Sequence, residues 1–260
     1  MKQRDRDQKV HWEATAYDQT MRFVSDYGLD LFKWLNPQQG ESIVDFGCGT
    51  GDLASQIAGS GAEVLGVDIS PEMVQRAREK YPLLRFECAD GMSWTPTQTY
   101  DAVFSNAALH WMKDAEAAVE TMTKCLRKGG RLVVEFGGYR NIQSIIDAMQ
   151  ATLENSGRMD AFVNPWYFPK VGEYAAILER HGMEVSHAML FDRPTAQEKG
   201  EKGMLNWLHM FGTAMVPKAT KAETEEWFNE VVMRLKSTQY QEGSWIADYR
   251  RIRMYALKQQ

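Results

Sequence analysis

The scarcities of this chain narrow its function first. It holds three cysteines in 260 residues, Cys48, Cys88 and Cys125, far apart and with no paired spacing. Neither a disulfide framework nor a cysteine-based zinc site fits that pattern. No carboxylate–histidine cluster has metal-ligand spacing either, and no metal is expected. No run approaches the roughly 20 apolar residues of a membrane span, so no membrane partner is expected. Basic charge is not in excess: 30 Lys and Arg face 35 Asp and Glu, a net charge of −5. A nucleic-acid partner calls for a basic patch or stripe, so the expected partner is a small molecule. The opening Met1-Lys2-Gln3-Arg4-Asp5-Arg6-Asp7 is charged with no apolar stretch behind it. That differs from a secretory signal, and a cytoplasmic location is expected.

What is present is a globular pattern. The 44% of hydrophobic residues suits one substantial core in a chain of this length, and a single domain over 1–260 is expected. Residues from about Ala14 to Leu35 carry apolar groups at Tyr17, Met21, Val24, Leu31 and Leu35, the spacing of amphipathic helices. Asn36-Pro37 ends them, and residues 1–36 are read as a helical lid. Ser70-Pro71-Glu72 offers an N-cap, a first-position proline and a first-turn acid ahead of Met73, Val74 and Ala77. Apolar runs alternating with such helical patterns predict βαβ units and a parallel sheet. Helices are expected near Ile142 to Leu153 and from Val171 to His181, and strands from Met183 to Asp192 and within Trp245 to Leu257. Between those strands Leu205, Leu208, Met215, Trp227, Val231 and Leu235 keep a helical spacing. Connections longer than about 15 residues are usually functional or structured in their own right. Residues 195–244 are therefore read as a helical cap inserted before the last strand.

The most informative stretch is Val44-Asp45-Phe46-Gly47-Cys48-Gly49-Thr50-Gly51-Asp52, which reads as strand, tight turn and helix. Glycines there let the backbone take positive φ and approach a ligand closely. The dinucleotide fingerprint needs glycine at its first, third and sixth positions; counted from Gly47, the sixth is Asp52. An aspartate there would repel a pyrophosphate, and it could accept from a ligand ammonium. No Lys-Ser or Lys-Thr follows the glycines, so a P-loop is excluded.

The segment Asp45-x-Gly47-x-Gly49-x-Gly51 resembles the first motif of the class I S-adenosylmethionine (SAM) methyltransferases. Further segments continue the resemblance in order, over roughly residues 40 to 140 and more loosely the remainder, and residues 37–140 are read as the SAM-binding core. Ala62 to Asp68 is an apolar run ending in an acid about 20 residues past the turn, the place of a carboxylate on ribose hydroxyls. Phe86 to Gly91 resembles the third strand and the acid, Asp90, that meets the adenine. Tyr100 to Trp111 resembles the fourth strand and the loop facing the transferred methyl, and Leu126 to Glu135 the fifth strand. Lys128 stands where the family usually has proline. The resemblance implies a Rossmann-like α/β fold with a seven-stranded, mostly parallel sheet and SAM as cofactor. It implies cofactor contacts at Tyr17, Asp45, Gly47, Gly49, Gly51, Asp68, Ile69, Asp90, Gly91 and Asn106.

Ser105-Asn106-Ala107-Ala108-Leu109-His110-Trp111 is similar to a segment of trans-aconitate methyltransferases and of the malonyl-acyl-carrier methyltransferases of biotin synthesis. Both families esterify carboxylates, so a carboxylic acid is the expected acceptor. His110 and Trp111 are acceptor-side candidates, with core packing as the alternative. Trp166, Tyr167 and Phe168, between Pro165 and Pro169, are candidates for a substrate wall; Trp207 and His209 are weaker ones. Methylation of nitrogen, carbon or sulfur, a non-catalytic SAM-binding role and aminopropyl transfer stay open as alternatives. The last calls for an acid where Asn106 stands.

Overall fold

The computed structural model describes residues 30–198 and 200–259. Tyr17 and most of the expected lid fall outside the described residues; from that segment, 30–35 are helical and bury Leu31 and Leu35. Five strands run parallel: β1 (Ser42–Phe46), β2 (Glu63–Asp68), β3 (Arg85–Cys88), β4 (Tyr100–Asn106) and β5 (Leu126–Gly137). Helices α1 (Asp52–Ala58), α2 (Pro71–Lys80) and α3 (Ala115–Cys125) make crossovers between them. Ser70 caps α2 by accepting from the Met73 amide at 3.3 Å, a contact of about 1 kcal/mol that also fixes where the chain leaves β2.

After β5 come α4 (Gln143–Asn155), α5 (Val171–Arg180), β6 (Met183–Gln197), α6 (Gly203–Phe211), α7 (Lys221–Gln239), β7 (Tyr240–Gln241) and β8 (Ser244–Lys258). The sheet order is β3-β2-β1-β4-β5-β8-β6. The seven-stranded path matches the expected fold class, with β8 antiparallel to its neighbours and the two-residue β7 added beside it. β6 runs to Gln197, past the expected Asp192, so residues 195–197 are strand and the helical insertion begins after them.

The register explains where a site can form. β5 pairs with β8 only as far as Gly137 opposite Arg251, while β6 and β8 stay paired on to Gln197 opposite Trp245. A two-stranded arm thus projects beyond the carboxyl ends of the parallel strands. Such an arm is marginal in water unless covered. Trp245 and Ala247 are buried on it against Trp207, Leu208, Phe228 and Val231 of α6 and α7 and Met149 of α4. This cluster is separate from the two that pack the faces of the sheet, built around Val103, Val134 and Ile252 on one side and Ile43, Ala54 and Phe104 on the other. Between the end of the sheet and the helical cluster a cavity opens.

Candidate active site

The cavity starts at the switch point between β1 and β4, where open α/β sheets bind ligands. The first turn after β1 is tied down by Gly47 and Cys48 amides donating to the Val67 carbonyl at 2.7 and 3.1 Å. Gly47 has φ +82, and a Cβ on it would stand 2.2 Å from that of Ala108. Only glycine lets the two strand ends meet so closely. Gly51 has φ +86, but it backs onto the Phe86 ring and does not line the cavity.

Acids surround this turn. Asp68 accepts from the Gly49 amide at one oxygen and from the Ser70 amide at the other, both at 2.9 Å. It lines the cavity with its remaining lone pairs available to ribose hydroxyls, while burial raises its pKa. Asp45 lies beneath the turn, outside the cavity lining, with one buried oxygen that has no hydrogen-bond partner. Burial first, and then the charge of Asp68, push its carboxyl up to about 7. Asp90 lines the cavity after β3 and accepts from the Met92 amide at 2.9 Å. Gly47, Gly49, Gly91, Asn106 and a half-exposed Ile69 complete this end. Asp52, given a ligand role by sequence reasoning, stands off the cavity in an ion pair with Lys80 at 2.7 Å.

Beyond the switch point the lining changes. Ala107 takes φ +59 and donates its amide to the Glu135 carbonyl at 2.7 Å. The Glu135 side chain is itself buried between Arg193 and Arg253, so the loop rests on a buried ion triad. His110 follows in a short 3-10 turn and is buried at the cavity wall. The Gly137 amide donates to its Nδ1 at 3.3 Å. Burial, and then the charge of Arg251, hold its pKa well below 6.5. The ring is therefore neutral, with Nε2 carrying the proton.

Trp111, Trp166, Phe168, Trp207 and Phe211 also line this end. Tyr167 does not. In the extended segment around it successive side chains alternate sides: its amide donates to the His110 carbonyl at 2.8 Å and its ring packs into the sheet core. His209 points elsewhere, 3.6 Å from Glu225.

Sequence reasoning missed Asn141, Tyr249 and Arg251, all on the lining. Arg251 is 7% exposed, with its guanidinium 4.7 Å from the centre of the Tyr249 ring. The Tyr249 hydroxyl accepts from Trp207 Nε1 at 2.6 Å. Asn141 accepts the Arg250 amide at its Oδ1, 2.8 Å away, which leaves its Nδ2 as the donor end. An arginine set among Ile252 and Met254 in an expected strand was the one signal the sequence carried.

Residues 44–134 match the family described as a methyltransferase domain. An uncharacterized methyltransferase of Schizosaccharomyces pombe is 28% identical over 96% of this chain and 98% of its own. The Haemonchus contortus phosphoethanolamine N-methyltransferase 2, solved with phosphomonomethylethanolamine and S-adenosylhomocysteine, superposes with a TM-score of 0.57. It is 17% identical over 90% of this chain and 53% of that one.

The chain carries a SAM-dependent methyltransferase domain over residues 44–134. A trans-aconitate 2-methyltransferase of Methylobacterium radiotolerans is 38% identical to it, over only 35% of this chain and 36% of that enzyme. The lining of the methyltransferase fits SAM: Gly47 and Gly49 present backbone without a Cβ to the cavity, and Asp68 and Asp90 stand beside them. When bound, SAM supplies a methyl group on a positively charged sulfur. Among the described residues no helix is long and apolar enough to cross a membrane, and no group of three or more His, Cys, Asp or Glu could hold a metal.

Proposed function

We propose that the methyltransferase esterifies a carboxylic acid of a small molecule. The observation that carries this reading is that His110, with its Nδ1 taken by the Gly137 amide and its Nε2 left to donate, shares the cavity lining with the Arg251 guanidinium. Arg251, His110 Nε2 and Asn141 Nδ2 are all donors, whereas the lining acids Asp68 and Asp90 follow β2 and β3 at the other end. A buried cation among donors suits an anion.

The same geometry bears on mechanism. An alcohol or thiol must lose a proton during or before transfer, and an amine held as its ammonium must lose one beforehand, which calls for a base. His110 has its Nδ1 occupied by the Gly137 amide and its Nε2 protonated, so as held it donates and does not accept. A carboxylate needs no base. Its oxygen forms the new O–CH3 bond as the methyl's bond to sulfur breaks, the sulfur keeps the bonding pair, and no proton moves. The chain's contribution is to orient the acid and exclude water. The resemblance of residues 105–111 to carboxylate-esterifying enzymes supports the same reading.

The test is a screen of small carboxylates, amines, phenols and thiols with SAM, following S-adenosylhomocysteine formation and identifying the methylated product. Methyl esters are the expected products. Turnover confined to amines or thiols overturns the proposal.

A further inference from the structure

We infer that Asp248 is a positioning residue of the acceptor end: it holds the turn that carries Asn141, whose Nδ2 donates to the acceptor's carboxylate. This rests on the carboxylate reading above and adds the group that keeps one of its donors in place. Three observations carry it.

The first is strain beside a cavity wall. The connection from β5 to α4 puts Arg140 at φ +64 and Ile142 at φ +50, with Asn141 between them. Left-handed backbone is costly for L-residues, and for a β-branched side chain such as that of Ile142 it is an outlier. Strain of this kind persists where the surroundings over-determine it, and it gathers at functional sites. Asn141 and Ile142 are both buried and both line the cavity.

The second is what holds the strained turn. On its β5 side the Gly138 amide donates to the Arg250 carbonyl at 2.9 Å, and the Arg250 amide donates to Asn141 Oδ1 at 2.8 Å. On its α4 side the Ile142 amide donates to the Asp248 carbonyl at 3.0 Å. Ile142 occupies the N-cap position of α4 with a side chain that caps nothing. Asp248, 104 positions along the chain, supplies the cap instead: its Oδ2 accepts from the Ser144 amide at 2.9 Å and the Ser144 hydroxyl at 2.7 Å. A carboxylate there satisfies an orphan amide and complements the helix dipole. Its other oxygen, Oδ1, is buried with no hydrogen-bond partner among the described residues. A local serine or threonine at the N-cap would have stabilised α4 without that cost.

The third is where the Asn141 amide lies. With Oδ1 committed to the Arg250 amide, Nδ2 is the group Asn141 has to offer a ligand. A Cβ added at Gly137 would come within 3.0 Å of that nitrogen. The Gly137 amide is also the donor that holds His110 Nδ1, so the Asn141 and His110 donors are neighbours at one residue of the β5 end.

The experiment uses the full chain labelled with heavy nitrogen at asparagine, saturated with S-adenosylhomocysteine and titrated with sodium acetate against a sodium chloride control. NMR follows the Asn141 side-chain amide signals, assigned by their absence in Asn141→Ser. In the wild type they should shift saturably with acetate and not with chloride. Asp248→Asn, which keeps an acceptor for Ser144, should behave as the wild type. Asp248→Ala should displace or broaden the signals and weaken acetate at least about tenfold, the loss of one hydrogen bond to a charged group. Calorimetry should find S-adenosylhomocysteine bound by that variant within about twofold of the wild type, its end of the cavity being distant from the change. If Asp248→Ala does not fold, Ser144→Ala, which removes only the hydroxyl arm, is read by the same criteria. Unchanged signals and acetate affinity in the alanine variant overturn the inference, reduce Asp248 to a helix cap and leave the carboxylate reading standing. S-adenosylhomocysteine weakened as much as acetate overturns it too. Acetate that does not move the wild-type Asn141 signals also overturns it, and the carboxylate reading is then decided by the methyl-ester screen alone.

Discussion

The two ends of the cavity are built on different principles. At the glycine-turn end the lining groups are backbone and short acids at the tips of β1, β2 and β3, tied together by hydrogen bonds between the turn after β1 and the end of β2. At the acceptor end they come from side chains distant in sequence: His110 from the turn after β4, Trp166 and Phe168 from an extended loop, Trp207 from the cap, Arg251 from the last strand. A site made of backbone leaves a short, spaced signature. A site made of distant side chains leaves none until the chain is folded. Damage at the cofactor end should therefore reach folding and SAM binding, and damage at the acceptor end should spare both.

The largest effect is expected at Gly47. Alanine there meets a Cβ at 2.2 Å and a φ of +82; overpacking and left-handed strain together cost roughly 2–5 kcal/mol. Gly47→Ala should lower the denaturation midpoint accordingly and abolish measurable SAM binding. A variant with native stability and affinity would show that the turn after β1 is not as tight as described.

Asp45 comes next and gives the cofactor end a pH signature. The folded chain holds this carboxyl at about 7, against an ordinary 3.8. Between those values the native state keeps a proton that the unfolded state releases, so this group's contribution to stability falls as pH rises from about 4 to 7 and is fully lost above 7. The span corresponds to at most about 4 kcal/mol. Asp45→Asn should therefore raise the stability of the ligand-free protein at pH 8 by up to that amount and flatten the slope between pH 4 and 7. Denaturant unfolding across pH checks both, and an unchanged slope removes Asp45 as its source.

Asp68→Ala should weaken SAM by at least about tenfold, since hydrogen bonds to a charged group are worth about 1.5–3 kcal/mol each. It also frees the Gly49 and Ser70 amides, so thermal unfolding must accompany the calorimetry. Asp68→Asn, which keeps an acceptor, separates the two causes: retained stability with lost affinity marks a ligand contact.

The same contrast explains what could be read from the sequence. The alternation of parallel strands and helices follows from apolar runs, the Ser70-Pro71 cap and glycines at fixed offsets, all local signals. Tyr167 was grouped with its neighbours because composition marks a loop as aromatic without saying which rings alternate inward. Asp52 was read as facing a ligand because a helix start was visible and its partners Lys80 and Tyr81, at the far end of α2, were not. Arg251 was legible only as one residue of a strand. Its place at the end of the β5–β8 register, opposite Gly137, is a property of pairing across more than a hundred residues.

The smallest effect on SAM should come from Trp111→Ala, and this variant sharpens the comparison most. Trp111 is half-buried, with its ring against Trp166 and Phe211 and near His110, on the far side of the switch point from the glycine turn. Removing it takes a wall from the acceptor end and leaves the amides of Gly47, Gly49 and Ser70 in place. SAM affinity should stay within about threefold, while kcat/KM for the acid falls about tenfold, the pattern of lost positioning in the transition state. Because a fully buried tryptophan truncated to alanine costs roughly 3–5 kcal/mol, the unfolding midpoint is measured alongside. A folded variant that loses SAM as readily as the acid would show that the two ends are coupled through the loop after β4, and that the division drawn here fails at that residue.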